Sequence, residues 1–280
     1  MPSIIVKPKN LKEIWKILPE LPAKRKYLSG GTDLVASANN RLDDSGCWID
    51  ITDISDLRKI TETKDKIFIG AGVKIAELKE SKLVAKWLPA LYSAVDKFAS
   101  PSLRNMATLG GNAGTASPCG DGICALCSER AEIILEHFGK RRKVPLIDFF
   151  TGPKKTVLRK DELIIGFEMP KWTHSGVHLK LGPRTDFAIS KAAVSICIEL
   201  VKGKICSCSI ALASVAPTIV MARKVSKFLE TKSLTSETVE KASEIIKTEI
   251  SPITDIRSEA EYRREITGIL LQRALTALSN

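Results

Sequence analysis

Apolar positions set the elements of this chain before any chemistry is considered. Leu11, Ile14, Trp15 and Leu18 recur at helical spacing behind an Asn10/Glu13 capping-box pair, which predicts a first helix from Asn10 to Leu18. A strand is expected at Lys26-Tyr27-Leu28, followed by a turn at Gly30-Gly31. A short helix at Leu34-Val35-Ala36 and a strand from Trp48 to Ile51 complete a small βαβ-like unit. From Lys66 the pattern changes to short strands such as Ile67-Phe68-Ile69, then two helices, Leu83 to Trp87 and Leu91 to Phe98, and a glycine-rich segment. A hairpin pairing Glu132 to Glu136 with Val144 to Ile147 is predicted next. The strand Leu163 to Met169 ends at Pro170, and the polar stretch Lys171 to Gly176 marks a boundary.

The last third pairs two strands, Ala192 to Val201 and Ile205 to Ala213, across Lys202-Gly203-Lys204. Helices follow. The terminal one is expected to start with a Ser258/Glu261 capping box and to bury Tyr262, Ile266, Ile269 and Leu270. Three units result, 1–60, 61–172 and 173–280, with no internal repeat.

Composition narrows the class. The chain has 280 residues, 44% of them hydrophobic and only 5% aromatic, and no apolar run of the roughly 20 residues that a membrane span needs. Its 43 Lys+Arg against 32 Asp+Glu give a net charge of +11, but the basic residues are dispersed and not interleaved with aromatics. A nucleic-acid-binding role is therefore not expected. The one dense run, Lys140-Arg141-Arg142-Lys143, reads as a solvated hairpin turn or a contact for an acidic partner. The start MPSIIVKPKN lacks the features of a secretory signal, and seven cysteines cannot all pair, so a reduced, cytoplasmic protein is expected.

Two glycine pairs carry the candidate chemistry: Ser29-Gly30-Gly31-Thr32-Asp33-Leu34, and Thr108-Leu109-Gly110-Gly111-Asn112 running on to Thr115. Such a pair turns backbone N–H groups toward one point and lets the chain approach a phosphate, although an ordinary turn explains either pair alone. Neither fits the dinucleotide fingerprint or the phosphate-loop pattern. Two loops in one chain suit the two phosphates of a dinucleotide.

Catalytic constellations are missing. The three histidines form no metal-binding pair, and Gly176 between His174 and His178 favours loop and strand over a shared helical face. Cys119, Cys124 and Cys127 resemble iron–sulfur spacing but lack an obvious fourth ligand, and Cys124 and Cys127 read rather as the first turns of a buried helix. Cys206 and Cys208 alternate along a strand and are expected to face the core together.

The run FASPSLRNMATLGGNAGTASPCGD, Phe98 to Asp121, resembles the FAD-binding motif of the flavin subunit of molybdenum hydroxylases, the family of xanthine dehydrogenase and aerobic carbon monoxide dehydrogenase. SGGTDL resembles its first flavin loop, DELIIGFEMP its closing strand and DIRSEAEYRREITGILLQRAL its final helix, so the likeness spans nearly the whole chain. It implies an α+β architecture: two α/β subdomains of the vanillyl-alcohol oxidase type holding FAD, then a domain of antiparallel sheet and helical bundle.

The same resemblance implies site residues. Ser29 to Leu34 (Ser29, Gly30, Gly31, Thr32, Asp33, Leu34) would wrap one side of the pyrophosphate, and Thr108, Gly111, Asn112 and Thr115 the other. Asp121 would bind ribityl or sugar hydroxyls. Leu163 and Ile164 would touch the adenine-ribose end or the ring edge, Lys180 would lie near the flavin, and Phe98 is either an aromatic beside the ring or a core residue. No catalytic residue and no metal ligand is expected on this chain. One branch of the family carries an extra iron–sulfur cluster on this subunit, but its cysteines lie in a long insertion that is absent here.

The implied function is electron relay. A molybdopterin-binding large subunit oxidises substrate, xanthine or another purine being the first expectation, an iron–sulfur small subunit conducts electrons, and this subunit's FAD passes them to NAD or another acceptor. No histidine or cysteine lies in either glycine loop, so non-covalent FAD is expected. The alternative is a stand-alone FAD-dependent oxidoreductase of the same fold, for which the sequence offers no acid–base pair.

Overall fold

The computed structural model describes residues 2–40, 46–184 and 187–279. Three main sheets order it. The first is parallel, with Cys47–Asp50 between Ile4–Val6 and Arg25–Leu28. Its central strand buries Cys47, Trp48 and Ile49, as a strand covered on both faces must. Helix Leu11–Ile17 and the 3-10 turn Leu18–Glu20 after it pack Ile14 and Leu18 into this unit, and helix Leu34–Asn39 follows the glycine turn as expected. The Asn10 side chain accepts the Glu13 N–H at 2.9 Å, but Glu13 reaches back to the Lys9 N–H at 2.7 Å, one residue earlier than in a capping box. The edge strand Ile4–Val6 escaped the sequence reading, because three residues with two of them exposed carry no period.

The second sheet is antiparallel, in the order Ile60–Glu62, Lys66–Gly70, Leu163–Pro170, Glu132–His137, Lys140–Pro145. Here the basic run is not a turn. The turn is Phe138-Gly139, both at positive φ, the two-residue connection that matches strand twist. Lys140 to Lys143 form the edge strand, and their charges are used: Arg141 pairs with Glu136, Arg142 with Glu162 and Lys143 with Glu168. Hydrogen bonds from Arg142 hold the buried Glu162 carboxyl below its ordinary pKa. Leu146 and Ile147, expected to close the strand, instead open the helical turn Leu146–Phe149.

The third sheet, Ser175–Leu181, Ala192–Val201, Lys204–Ala213 and Val220–Met221, shows why the two halves fit closely. Along its two long strands Val194, Ile196, Ile198, Ile210 and Leu212 face one way, toward helices Arg223–Leu229, Ser236–Lys247 and Ala260–Ser279. Ala193, Ser195, Cys197, Ala211 and Ala213 alternate onto the other face. These small side chains let helix Asp121–Ser128 approach so closely that all eight of its residues are buried. Ser128 Oγ lies 2.9 Å from Ser195 Oγ, and the Cys124 thiol donates to the Ala211 carbonyl at 3.5 Å.

Two expectations fail in this unit. Cys208 is buried but Cys206 is exposed, because a register shift opposite Glu199 and Leu200 makes Cys206 the extra residue of a bulge. The terminal helix begins at Ala260, not behind Ser258, and the Asp255 carboxylate binds the Arg257 and Ser258 N–H groups instead. Its buried face is also rotated. Arg263 turns inward to the carbonyls of Lys191 and Ser214, so Thr267, Leu270, Leu271, Ala274 and Leu275 are buried while Tyr262 and Ile269 are exposed. No helix among the described residues is long and apolar enough to cross a membrane.

Candidate functional site

The two glycine loops meet. Gly30 lies against the backbone of Met106 and Ala107: a Cβ added there would collide with the Met106 carbonyl oxygen and lie 2.9 Å from Ala107 Cα. Gly31 sits at φ +71°, the left-handed region glycine favours. Two side-chain bridges tie the loops together, Ser29 Oγ to Thr108 Oγ1 at 3.0 Å and Thr115 Oγ1 donating to Asp33 Oδ2 at 2.8 Å.

Their backbone donors differ. In the second loop, Leu109 N–H donates to the Val73 carbonyl, Gly110 N–H to Ala71, Asn112 N–H to Thr108, and Gly111 N–H to Thr108 Oγ1 at 3.1 Å. In the first loop, no acceptor among the described residues takes the N–H groups of residues 30–34; the intramolecular ladder resumes with Val35 N–H on the Gly31 carbonyl. A row of free N–H groups at the start of helix Leu34–Asn39 is suited to an anion.

Asn112 turns away from this row. Its side-chain oxygen accepts the Ile123 N–H at 3.1 Å, fastening the second loop to the start of helix Asp121–Ser128. At that start the buried Asp121 carboxylate takes Lys180 Nζ at 2.5 Å, so the C-terminal unit supplies a cation to this side of the site. His178, two residues before Lys180 and on the same strand face, is fully buried, with Nε2 3.4 Å from Asp121 Oδ1. Among the described residues neither His178 nitrogen nor Asp121 Oδ1 makes a hydrogen bond.

The structure thus brings together Ser29 to Leu34, Thr108, Gly111, Asn112, Thr115, Asp121 and Lys180 through one chain of contacts. The other three lie differently. Ile164 is beside Gly114, with Cδ1 3.7 Å from where a Cβ would stand; Leu163 points into the core of the first unit; Phe98 packs partly buried on the second unit's core, its carbonyl taking Arg104. His178 was missed as a site residue, although strand alternation with Lys180 marks it. Burial pushes the Cys124 and Cys127 thiols up, and Cys119 is half-buried.

Free N–H groups, hydroxyls at the joint of two loops, an unpartnered carboxylate oxygen and a fixed lysine fit an anionic dinucleotide such as FAD. Comparison with known proteins gives the same answer. Residues 2–172 match the FAD-binding domain in molybdopterin dehydrogenase, and residues 178–278 match the CO dehydrogenase flavoprotein C-terminal domain. The carbon monoxide dehydrogenase medium chain of Hydrogenophaga pseudoflava is 30% identical over 276 residues, covering 96% of this chain and 94% of that one. The putative xanthine dehydrogenase FAD-binding subunit of Escherichia coli K12 is 27% identical, covering 90% and 87%. In solved form, a chain of the Hydrogenophaga pseudoflava carbon monoxide dehydrogenase lacking the Mo-pyranopterin moiety superposes with a TM-score of 0.94 at 29% identity, covering 99% of this chain and 97% of that one. With both domains matched in order over nearly its whole length, the chain belongs to the FAD-binding medium subunits of the molybdenum hydroxylases, which are subunits of oxidoreductases.

Proposed function

We propose that this chain binds one FAD without a covalent link, takes electrons from an iron–sulfur small subunit, and passes them to NAD or another acceptor. In this reading a molybdopterin-binding large subunit oxidises the substrate, with xanthine or a related purine as the proposed class. The row of N–H groups at residues 30–34 that no described residue accepts, bridged to the second loop through Ser29–Thr108 and Asp33–Thr115, carries the proposal. Bound FAD would supply the two-electron store that this chain's own side chains lack.

The protein's part is position and charge. Backbone N–H groups of Gly30, Gly31, Thr32, Asp33 and Leu34 receive the diphosphate, whose charge they meet without a lysine or arginine in the loop. Ser29, Thr108 and Thr115 add hydroxyls, while Gly111 and Asn112 act by keeping the second loop in register beside the first. Asp121, at the start of its helix and paired with Lys180, is the residue proposed for a ribityl or sugar hydroxyl. Lys180, anchored by that same carboxylate, would offer a positive charge to the bound anionic cofactor. The net charge of +11 favours approach of an anionic acceptor such as NAD.

Co-purification of the tagged chain from its native host tests this reading. One acid-releasable FAD per chain and two partner subunits are expected, with xanthine oxidation by the complex and none by the isolated chain. A chain that emerges alone and oxidises a purine or aldehyde unaided would replace the relay by the stand-alone oxidoreductase.

A further inference from the structure

Helix Asp121–Ser128 has a histidine at each end. His178 lies by Asp121 at its start; His174 lies by Glu129, the residue that caps its end. The second pair is joined by Cys197 from strand Ala192–Val201, one of the two central strands of the C-terminal sheet. One ligating atom from each of Glu129, His174 and Cys197 falls within 4.8 Å of the other two. The side chains of Glu129 and His174 are 0% and 1% exposed, and Cys197 is fully buried. The geometry points to a structural site for a divalent, zinc-like ion at this trio, where the linker, the helix end and the sheet meet.

The donor chemistry is right for such an ion: a carboxylate oxygen, an imidazole nitrogen and a sulfur, the mixed set that borderline divalent metals accept. Each donor is also held from behind. His174 Nδ1 lies 3.0 Å from the Trp172 carbonyl, which leaves Nε2 for the ion, and the Trp172 ring stacks on the imidazole at 4.0 Å. Glu129 Oε1 accepts the Ala90 N–H at 2.8 Å, which leaves Oε2 facing His174 Nε2 at 2.7 Å. The Cys197 thiol is oriented by the Ser128 hydroxyl, to which it donates at 3.7 Å.

Bound here, a divalent ion would be met by a carboxylate, a neutral imidazole nitrogen and a thiolate, a set that sums with the ion to zero charge, the displaced protons going to solvent. The Nε2–Oε2 gap needs to open only to roughly 3.2 Å to suit metal–ligand bonds of about 2 Å. Sequence spacing could not reveal the site, because its ligands come from three separate segments.

The test uses full-length protein made in zinc-supplemented medium and purified without chelators. Metal analysis is expected to give about one zinc per chain, falling at least fivefold in Cys197→Ala and in His174→Gln, and unchanged when Cys119 and Cys206, the two cysteines outside the core, are replaced by alanine. Less than a tenth of a zinc per chain in the wild type, or zinc retained in Cys197→Ala, overturns the assignment. Should the single variants fail to fold, cobalt-grown protein lacking Cys119 and Cys206 decides it. A sulfur-to-cobalt charge-transfer band with tetrahedral ligand-field bands is expected, and octahedral cobalt spectra without that band overturn the site.

Discussion

The two glycine loops look alike in sequence and do different work. Both carry a Gly-Gly pair followed by a small polar residue, yet the second loop uses the N–H groups of residues 109–112 within the protein, and the first leaves those of residues 30–34 free among the described residues. The reason lies in what precedes each pair. Thr108 pairs with Lys74 in an isolated bridge, and the next two residues hydrogen-bond to Val73 and Ala71, so strand-like contacts and a helix cap satisfy the loop. Leu28 ends a strand, and the chain turns directly into a helix whose first N–H groups have no turn before them. A glycine pair therefore marks close backbone approach; donor availability decides whether it serves a ligand.

This division of labour predicts graded effects. Gly30→Val should be the most damaging change, because its side chain meets backbone at Met106 and Ala107 that cannot move without parting the loops. Flavin content should fall below a tenth of wild type, read as acid-released FAD per chain, and full occupancy would break the comparison. A control of similar severity for stability, remote from both loops, is Arg142→Leu. It leaves the buried Glu162 carboxylate unpaired and should cost about 3 kcal/mol in denaturant unfolding at neutral pH. Because Arg142 lowers the folded-state pKa of Glu162, the pair's contribution is present above the ordinary carboxylate pKa and lost as pH falls through the folded value. The variant should lose that acid-side dependence while its remaining folded fraction still binds FAD.

Within the second loop the two glycines should separate. An alanine at Gly110 would press on Ala71, with Cβ atoms 2.6 Å apart, and should destabilise by about 2 kcal/mol; Gly111 would meet only Thr108 Oγ1 at 3.0 Å and should lose less. Equal losses would contradict the packing role given to Gly110. Thr108→Val, which removes both the Gly111 cap and the Ser29 bridge, should cost about 1 kcal/mol and weaken FAD binding a few-fold by titration calorimetry. An unchanged affinity would show that the joint between the loops does not matter to the ligand.

Much of this was legible in the chain. Turn chemistry and alternation gave the βαβ unit, the Lys202-Gly203 hairpin and the helix holding Cys124 and Cys127, because each rests on local rules. The misses share a cause, which is information stored across the fold. Lys140 to Lys143 read as a loop because their three carboxylate partners sit on two other strands or beyond. Cys206 read as core because a bulge is invisible without the opposite strand. The glycine loops themselves were readable, but their spent or free N–H groups depend on Ala71 and Val73, some forty residues away from the loop they satisfy.

Backbone hydrogen exchange, compared between FAD-free and FAD-loaded protein, tests the central claim most directly. A peptide spanning residues 29–35 should exchange rapidly without FAD and become protected with it, whereas one spanning 108–114 should be protected in both, since its donors are already bonded. Protection gained at 108–114 with none at 29–35 would contradict the account, and would make the second loop the receiver of the diphosphate.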